Sequence, residues 1–132
     1  MESERYLMSA FWAVCQIAAA VVLITVNWRA ANGRLKRNQW TGIRTPSTMS
    51  SDQAWVAGHR AALRLTPLYI FFTATTLVAL LVATLWGWSF GVTMLVGVGG
   101  LLVSVPVALY SAIVAGRAAK SIGGDPGDRR PR

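Results

Sequence analysis

The stretch YLMSAFWAVCQIAAAVVLITV, residues 6–26, contains no charged side chain, and Gln16 is its only strongly polar residue. At about 1.5 Å per residue, a helix of this length crosses a hydrocarbon core about 30 Å thick. The preceding residues, Glu2-Ser3-Glu4-Arg5, lack the net positive start of a secretory leader. The block also runs into Asn27-Trp28-Arg29 rather than a small-residue cleavage site, so it reads as a retained span over about residues 6–27.

Two further blocks of the same kind follow. One begins at Pro67, tolerated in a first helical turn because its missing N–H breaks no bond, and reaches Trp86-Gly87. Gly87-Trp88-Ser89 leaves room only for a tight turn, and the third block then runs over residues 90–115. Pro106 inside it frees a backbone carbonyl and predicts a kink. Gly91, Gly97, Gly99 and Gly100 offer flat surface for close helix packing. Trp28, Tyr69, Trp86 and Trp88 fall near block ends, where amphipathic rings favour the membrane–water interface. The fold expected is all-α: one integral membrane domain over residues 1–132, with three transmembrane helices, a polar loop over 28–66 and a mobile tail over 117–132.

Composition fits that class. Of the 132 residues, 54% are hydrophobic and 14% charged, against about a quarter charged in soluble domains. A net charge of +8 would point to nucleic acid in a soluble protein. Here twelve of the thirteen Lys and Arg residues follow the first or the third apolar block. That is how membrane orientation is written, and anionic lipid headgroups account for it, so no nucleic-acid partner is expected. With three spans the loop and the tail share one side. The positive-inside rule makes that side the cytoplasm and leaves the N-terminus outside.

The familiar catalytic sets are missing. One His and one Cys cannot build a zinc site by themselves, and no carboxylates are paired for acid–base work. No enzyme activity and no cofactor are expected. No ionisable Asp, Glu, Lys, Arg or His lies within the spans, so a proton relay has no carrier there. Gln16, Thr73, Thr75, Thr76 and Ser104 are placed to hydrogen-bond between helices, and Cys15 reads as a small packing residue.

The polar segment divides in two. Asn32-Gly33 reads as a helix stop, and Ser50-Ser51-Asp52-Gln53 as a helix start with Ser50 as the cap. A short interfacial helix over about 51–65 would carry Trp55, His59 and Ala62 on one stripe. Between stop and start, Asn38 to Met49 is expected to form an ordered loop, turned at Gly42 and stiffened at Thr45-Pro46. Arg44 on that turn either pins the loop to carbonyls or holds an anionic ligand with its planar fork. His59 is either a packed, hydrogen-bonded residue or a pH-sensitive group. The run Arg34-Leu35-Lys36-Arg37 either sets topology against anionic lipid or holds one specific headgroup.

Residues 33–55, GRLKRNQWTGIRTPSTMSSDQAW, followed by His59-Arg60, resemble the signature loop of the SdpI family of bacterial membrane proteins. Asn38, Gly42 to Pro46, Thr48, Ser50, Ser51, Trp55, His59 and Arg60 match its pattern. Ser47 stands where the family usually has an aromatic residue, and Met49 where it has Leu. The founding member protects against a secreted killing peptide and signals by holding a repressor at the membrane, and it carries further N-terminal spans. The resemblance implies protein–protein contact in immunity or membrane signalling, with Asn38, Gly42, Arg44, Thr45, Pro46, Ser50, Trp55, His59 and Arg60 as the candidate functional loop. A membrane protein partner or self-association is expected. The alternative is an accessory subunit whose glycine-rich third span packs against a larger membrane complex.

Overall fold

In a computed structural model, residues 2–123 are described, and they form four helices and no strand: α1 (Glu2–Ala31), α2 (Asp52–Leu63), α3 (Thr66–Leu85) and α4 (Phe90–Gly123). Three stretches, Ser3–Ala31, Thr66–Leu85 and Phe90–Ile122, are long and apolar enough to cross a membrane. The chain is a multi-pass membrane protein of all-α class. Two boundaries differ from the sequence reading: residues 28–31, expected in the polar loop, continue α1, and residues 117–123, expected in the mobile tail, continue α4. Ala118 and Ala119 are strong helix formers, and no Gly or Pro interrupts the helix between Arg117 and Ile122. The remainder of that expected tail, 124–132, lies outside the described residues. Pro106 is accommodated within α4, which is helical on both sides of it.

Two helices end the same way. Gly33 (φ +70°) follows α1, with Gly33 N–H donating to Ala30 O and Arg34 N–H to Arg29 O. Gly87 (φ +65°) follows α3, with Gly87 N–H donating to Thr84 O and Trp88 N–H to Ala83 O. These paired bonds are the Schellman motif, which satisfies the orphan carbonyls of a last turn and needs a left-handed residue, cheapest as glycine.

The chain divides into two compact units. The first joins α1 up to Val22, α3, and α4 up to Ala108. Its distribution of polarity is reversed relative to a soluble bundle. Leu7, Phe11, Val14, Phe71, Leu81, Leu95 and Leu102 are exposed, whereas Ser9, Gln16, Thr76 and Thr93 are buried. Lipid tails are as apolar as leucine, so burying leucine between helices gains little, and small or hydrogen-bonding residues make the contacts instead. Thr84 Oγ1 donates to Ser9 Oγ at 2.7 Å, and Gln16 Nε2 donates to Thr76 Oγ1 at 3.4 Å. A Cβ on Gly97 would overlap the indole of Trp12, and one on Gly100 would overlap Thr76, while Gly91 and Gly99 have nothing within 4 Å. Gly97 and Gly100 are therefore used for close approach to the chain's own α1 and α3. Of the rings expected at the interface, Trp28, Trp86 and Trp88 are exposed, but Tyr69 is buried.

The second unit joins residues 23–65, which contain the end of α1, the loop and α2, to α4 from Leu109 onward. It holds every residue of the candidate functional loop.

Candidate functional site

The centre of the second unit is a stack of three residues. On α2, Trp55 and His59 lie one turn apart, both buried, with ring centroids 4.2 Å apart. Above them sits Gly42 at φ +102°, where a Cβ would stand 2.7 Å from His59 Nε2 and 2.8 Å from Trp55 Cη2. Glycine is required there twice over, by the backbone angle and by the rings beneath it.

The hydrogen bonds fix the chemistry of His59. Ile43 N–H donates to Nε2 at 2.9 Å, so Nε2 must be unprotonated; Nδ1 lies 2.8 Å from Trp55 O and must carry the proton. His59 is thus a neutral imidazole clamped between two backbone groups. Burial lowers its pKa from the ordinary 6.5, and the bond to Trp55 O opposes that only in part. A second proton would also face the Ile43 N–H, donor to donor. Of the two readings offered by sequence, the packed and hydrogen-bonded one describes the geometry. Trp55 completes the clamp by donating from Nε1 to Leu35 O at 2.9 Å, which ties α2 to the segment just after α1.

The Thr45-Pro46-Ser47-Thr48 turn is tied by its own hydroxyls. Thr48 Oγ1 lies 2.8 Å from Ile43 O and 2.9 Å from Thr45 N, and Thr48 N–H donates to Thr45 Oγ1 at 3.2 Å. Thr48 is fully buried, with its methyl against Gly58 of α2, where a Cβ would stand 2.7 Å away. The same absent Cβ lets Ala115 of α4 approach, its carbonyl 3.1 Å from that position. Thr48, Ile43 and Gly58 were not singled out from sequence as site residues. A glycine in the middle of a twelve-residue helix, between Trp55 and His59, was the available signal.

The rest of the expected loop residues have local roles. Asn38 Oδ1 accepts from Trp40 N–H at 2.9 Å and Thr41 N–H at 2.8 Å, and its Nδ2 donates to Lys36 O at 2.9 Å, an Asx turn. The Arg44 guanidinium donates to Gln39 O, so Arg44 holds a carbonyl, though the side chain is otherwise exposed. Arg60 reaches Ala31 O at 3.4 Å, one of the orphan carbonyls that end α1. Pro46 is exposed on the turn. Ser50 corrects the sequence reading: the cap is Ser51, extended at φ −154°, with Oγ accepting from Ala54 N–H at 3.0 Å. Ser50 instead donates its hydroxyl to Ser47 O at 2.7 Å, closing the preceding turn. Two adjacent serines offer the same capping chemistry, and the turn at 47–50 decides which is free to use it.

The geometry therefore joins Gly42, Thr45, Trp55 and His59 in one rigid unit, and leaves Arg44, Pro46, Arg60 and the tip residues Gln39 to Thr41 on its surface. The exposed side chains thus sit on a frame fixed by hydrogen bonds. No curated protein and no solved structure matches the chain. A family model described as the SdpI/YfhL protein family matches residues 34–110, a stretch that opens at the loop, takes in α2 and α3, and ends within α4. With more than half its length inside that model, and with the model's first residues falling on this locked loop, the chain belongs to the SdpI/YfhL family.

Proposed function

We propose that this protein acts by protein–protein contact at a bacterial cell membrane, either protecting the cell against a membrane-active peptide or signalling that such a peptide is present. The observation that carries the reading is the locked loop. Glycine, threonine and histidine hold its backbone in one shape, while Arg44, Pro46 and Arg60 remain exposed on it. A surface ordered before contact loses less conformational entropy on binding than a flexible one. Family membership supports immunity to a peptide toxin as the setting. The loop and the end of α4 face the cytoplasm in this reading, because they carry the basic residues, and the protein needs no cofactor and catalyses no reaction. The accessory-subunit alternative drew on a glycine face, of which Gly97 and Gly100 already meet Trp12 and Thr76.

Arg44→Lys tests the contact role. Arg44 is exposed and its bond to Gln39 O is one that a Lys ammonium can also make, so the variant should keep its thermal stability and membrane level, yet a strain carrying it should be as sensitive to the peptide as a deletion strain. Full protection by Arg44→Lys, and by Arg60→Gln beside it, would remove the exposed cations from the mechanism. Orientation is tested separately in a Cys15→Ala background. An impermeant thiol reagent added to intact cells should label a cysteine at Ser3 and spare one at Ser121; the reverse pattern would invert the topology.

A further inference from the structure

Among the described residues, every exposed large apolar side chain but one lies within a stretch able to cross the membrane or in the link between α3 and α4. The exception is Trp40, in the loop, and at 89% it is more exposed than any of the others. Hydrocarbon accounts for the rest and does not account for this one.

Trp40 is also held in place. The Asn38 side chain fixes the backbone at Trp40 and Thr41 from one side, and the Arg44 guanidinium holds Gln39 O from the other. Two residues on, Gly42 and Ile43 are locked against Trp55 and His59. The backbone order that a docked tryptophan needs is thus already built. Around the tip positive charge predominates: Lys36, Arg37 and Arg44 are exposed, with Arg37 also donating to Met49 O at 2.6 Å and paired with Asp52 at 3.5 Å.

We propose that the turn Lys36–Arg44 is a membrane-surface anchor, with the Trp40 ring inserted among the headgroups of an anionic leaflet and Lys36, Arg37 and Arg44 set against its phosphates. Charge complementarity selects this occupant. Cations near an anionic bilayer are attracted to it, and an indole prefers the headgroup layer to either water or hydrocarbon. The surface is also at hand, since the loop leaves a spanning helix at Gly33, seven residues before Trp40. The anchor would fix the plane in which the locked loop is presented; it shares only Arg44 with the contact proposed for Arg44 and Arg60 with a protein, and Trp40, Asn38 and Lys36, on which its test is made, lie outside that contact.

The test uses the full-length protein in lipid nanodiscs, with the fluorescence difference between the parent and Trp40→Phe isolating the one ring. In discs of one part phosphatidylglycerol to three parts phosphatidylcholine, Trp40 should be several-fold less open to acrylamide than in pure phosphatidylcholine. It should also be quenched by lipids brominated near the headgroup. Raising salt from about 0.1 to about 1 M, which shortens the screening length from about 10 to about 3 Å, should restore much of the acrylamide access. Asn38→Ala keeps the ring but loosens the tip, and Lys36→Gln keeps the fold but removes one charge; each should weaken the shielding. A Trp40 equally open to acrylamide in both lipids overturns the proposal. So does a Trp40 protected only in native membranes, which would assign the tip to a protein partner instead.

Discussion

Replacing Gly42 by alanine probes the centre of the loop, and Gly33→Ala supplies the comparison that isolates the cause. Both glycines have positive φ, +102° and +70°. A Cβ at residue 33 meets nothing within 4 Å, so its cost is the backbone strain alone, about 1–2 kcal/mol. A Cβ at residue 42 carries at least that strain, because +102° lies beyond the left-handed well, and in addition stands 2.7 Å from His59 Nε2 and 2.8 Å from Trp55 Cη2. Neither atom is the end of a flexible chain: His59 is held by Trp55 O, and Trp55 by Leu35 O. The loop must lift, which breaks the Ile43 N–H bond to His59 and leaves a buried acceptor unpaired, a further cost of about 1–3 kcal/mol. The expected difference between the two variants is about 2 kcal/mol, a factor of about 30 in the opening equilibrium. Amide hydrogen exchange in nanodiscs should show it. The Ile43 and Thr45 amides should exchange about 30-fold faster in Gly42→Ala than in Gly33→Ala, with α3 amides unchanged. Equal exchange in the two variants would mean that the rings do not sit beneath Gly42, and the account of the locked loop would fail.

Acid should open the same loop. His59 is neutral when folded with its pKa lowered from 6.5, so the opened state takes up a proton that the closed state refuses. The loop's stability is then complete above about pH 6.5 and declines as pH falls below that toward the lowered folded value; the decline should show in Ile43 amide exchange and should vanish in His59→Gln. Thr48→Val removes the hydroxyl bonded to Ile43 O and Thr45 N while keeping the methyl against Gly58, and should cost about 1–3 kcal/mol in loop stability, read by the same amides. In the first unit, Gly100→Ala should lower the melting temperature in detergent because its Cβ overlaps Thr76, whereas Gly99→Ala, facing open space, should leave it unchanged. An equal fall in both would remove the α3–α4 contact from the account.

The sequence by itself determined the class and the spans, because a bilayer imposes its demand locally. About twenty apolar residues in a row satisfy it whatever the rest of the chain does. The helix stop at Gly33 and the tight turn at Gly87 were legible for the same reason: each meets a backbone requirement set within a few residues. So was the stripe of Trp55, His59 and Ala62, which depends only on helical spacing. Tertiary structure decided the matters that depend on residues far apart in the chain. His59 could have been a free titrating group, and only the approach of Ile43 from sixteen residues away makes its Nε2 an acceptor and its ring neutral. Ser50 and Ser51 are chemically equal as caps until the turn closing on Ser47 O occupies one of them. Gly97 and Gly100 had the same composition-level meaning as Gly91 and Gly99. The difference is that two of them face Trp12 and Thr76 on other helices and two face nothing, and sequence spacing within one helix carries no information about what lies opposite it.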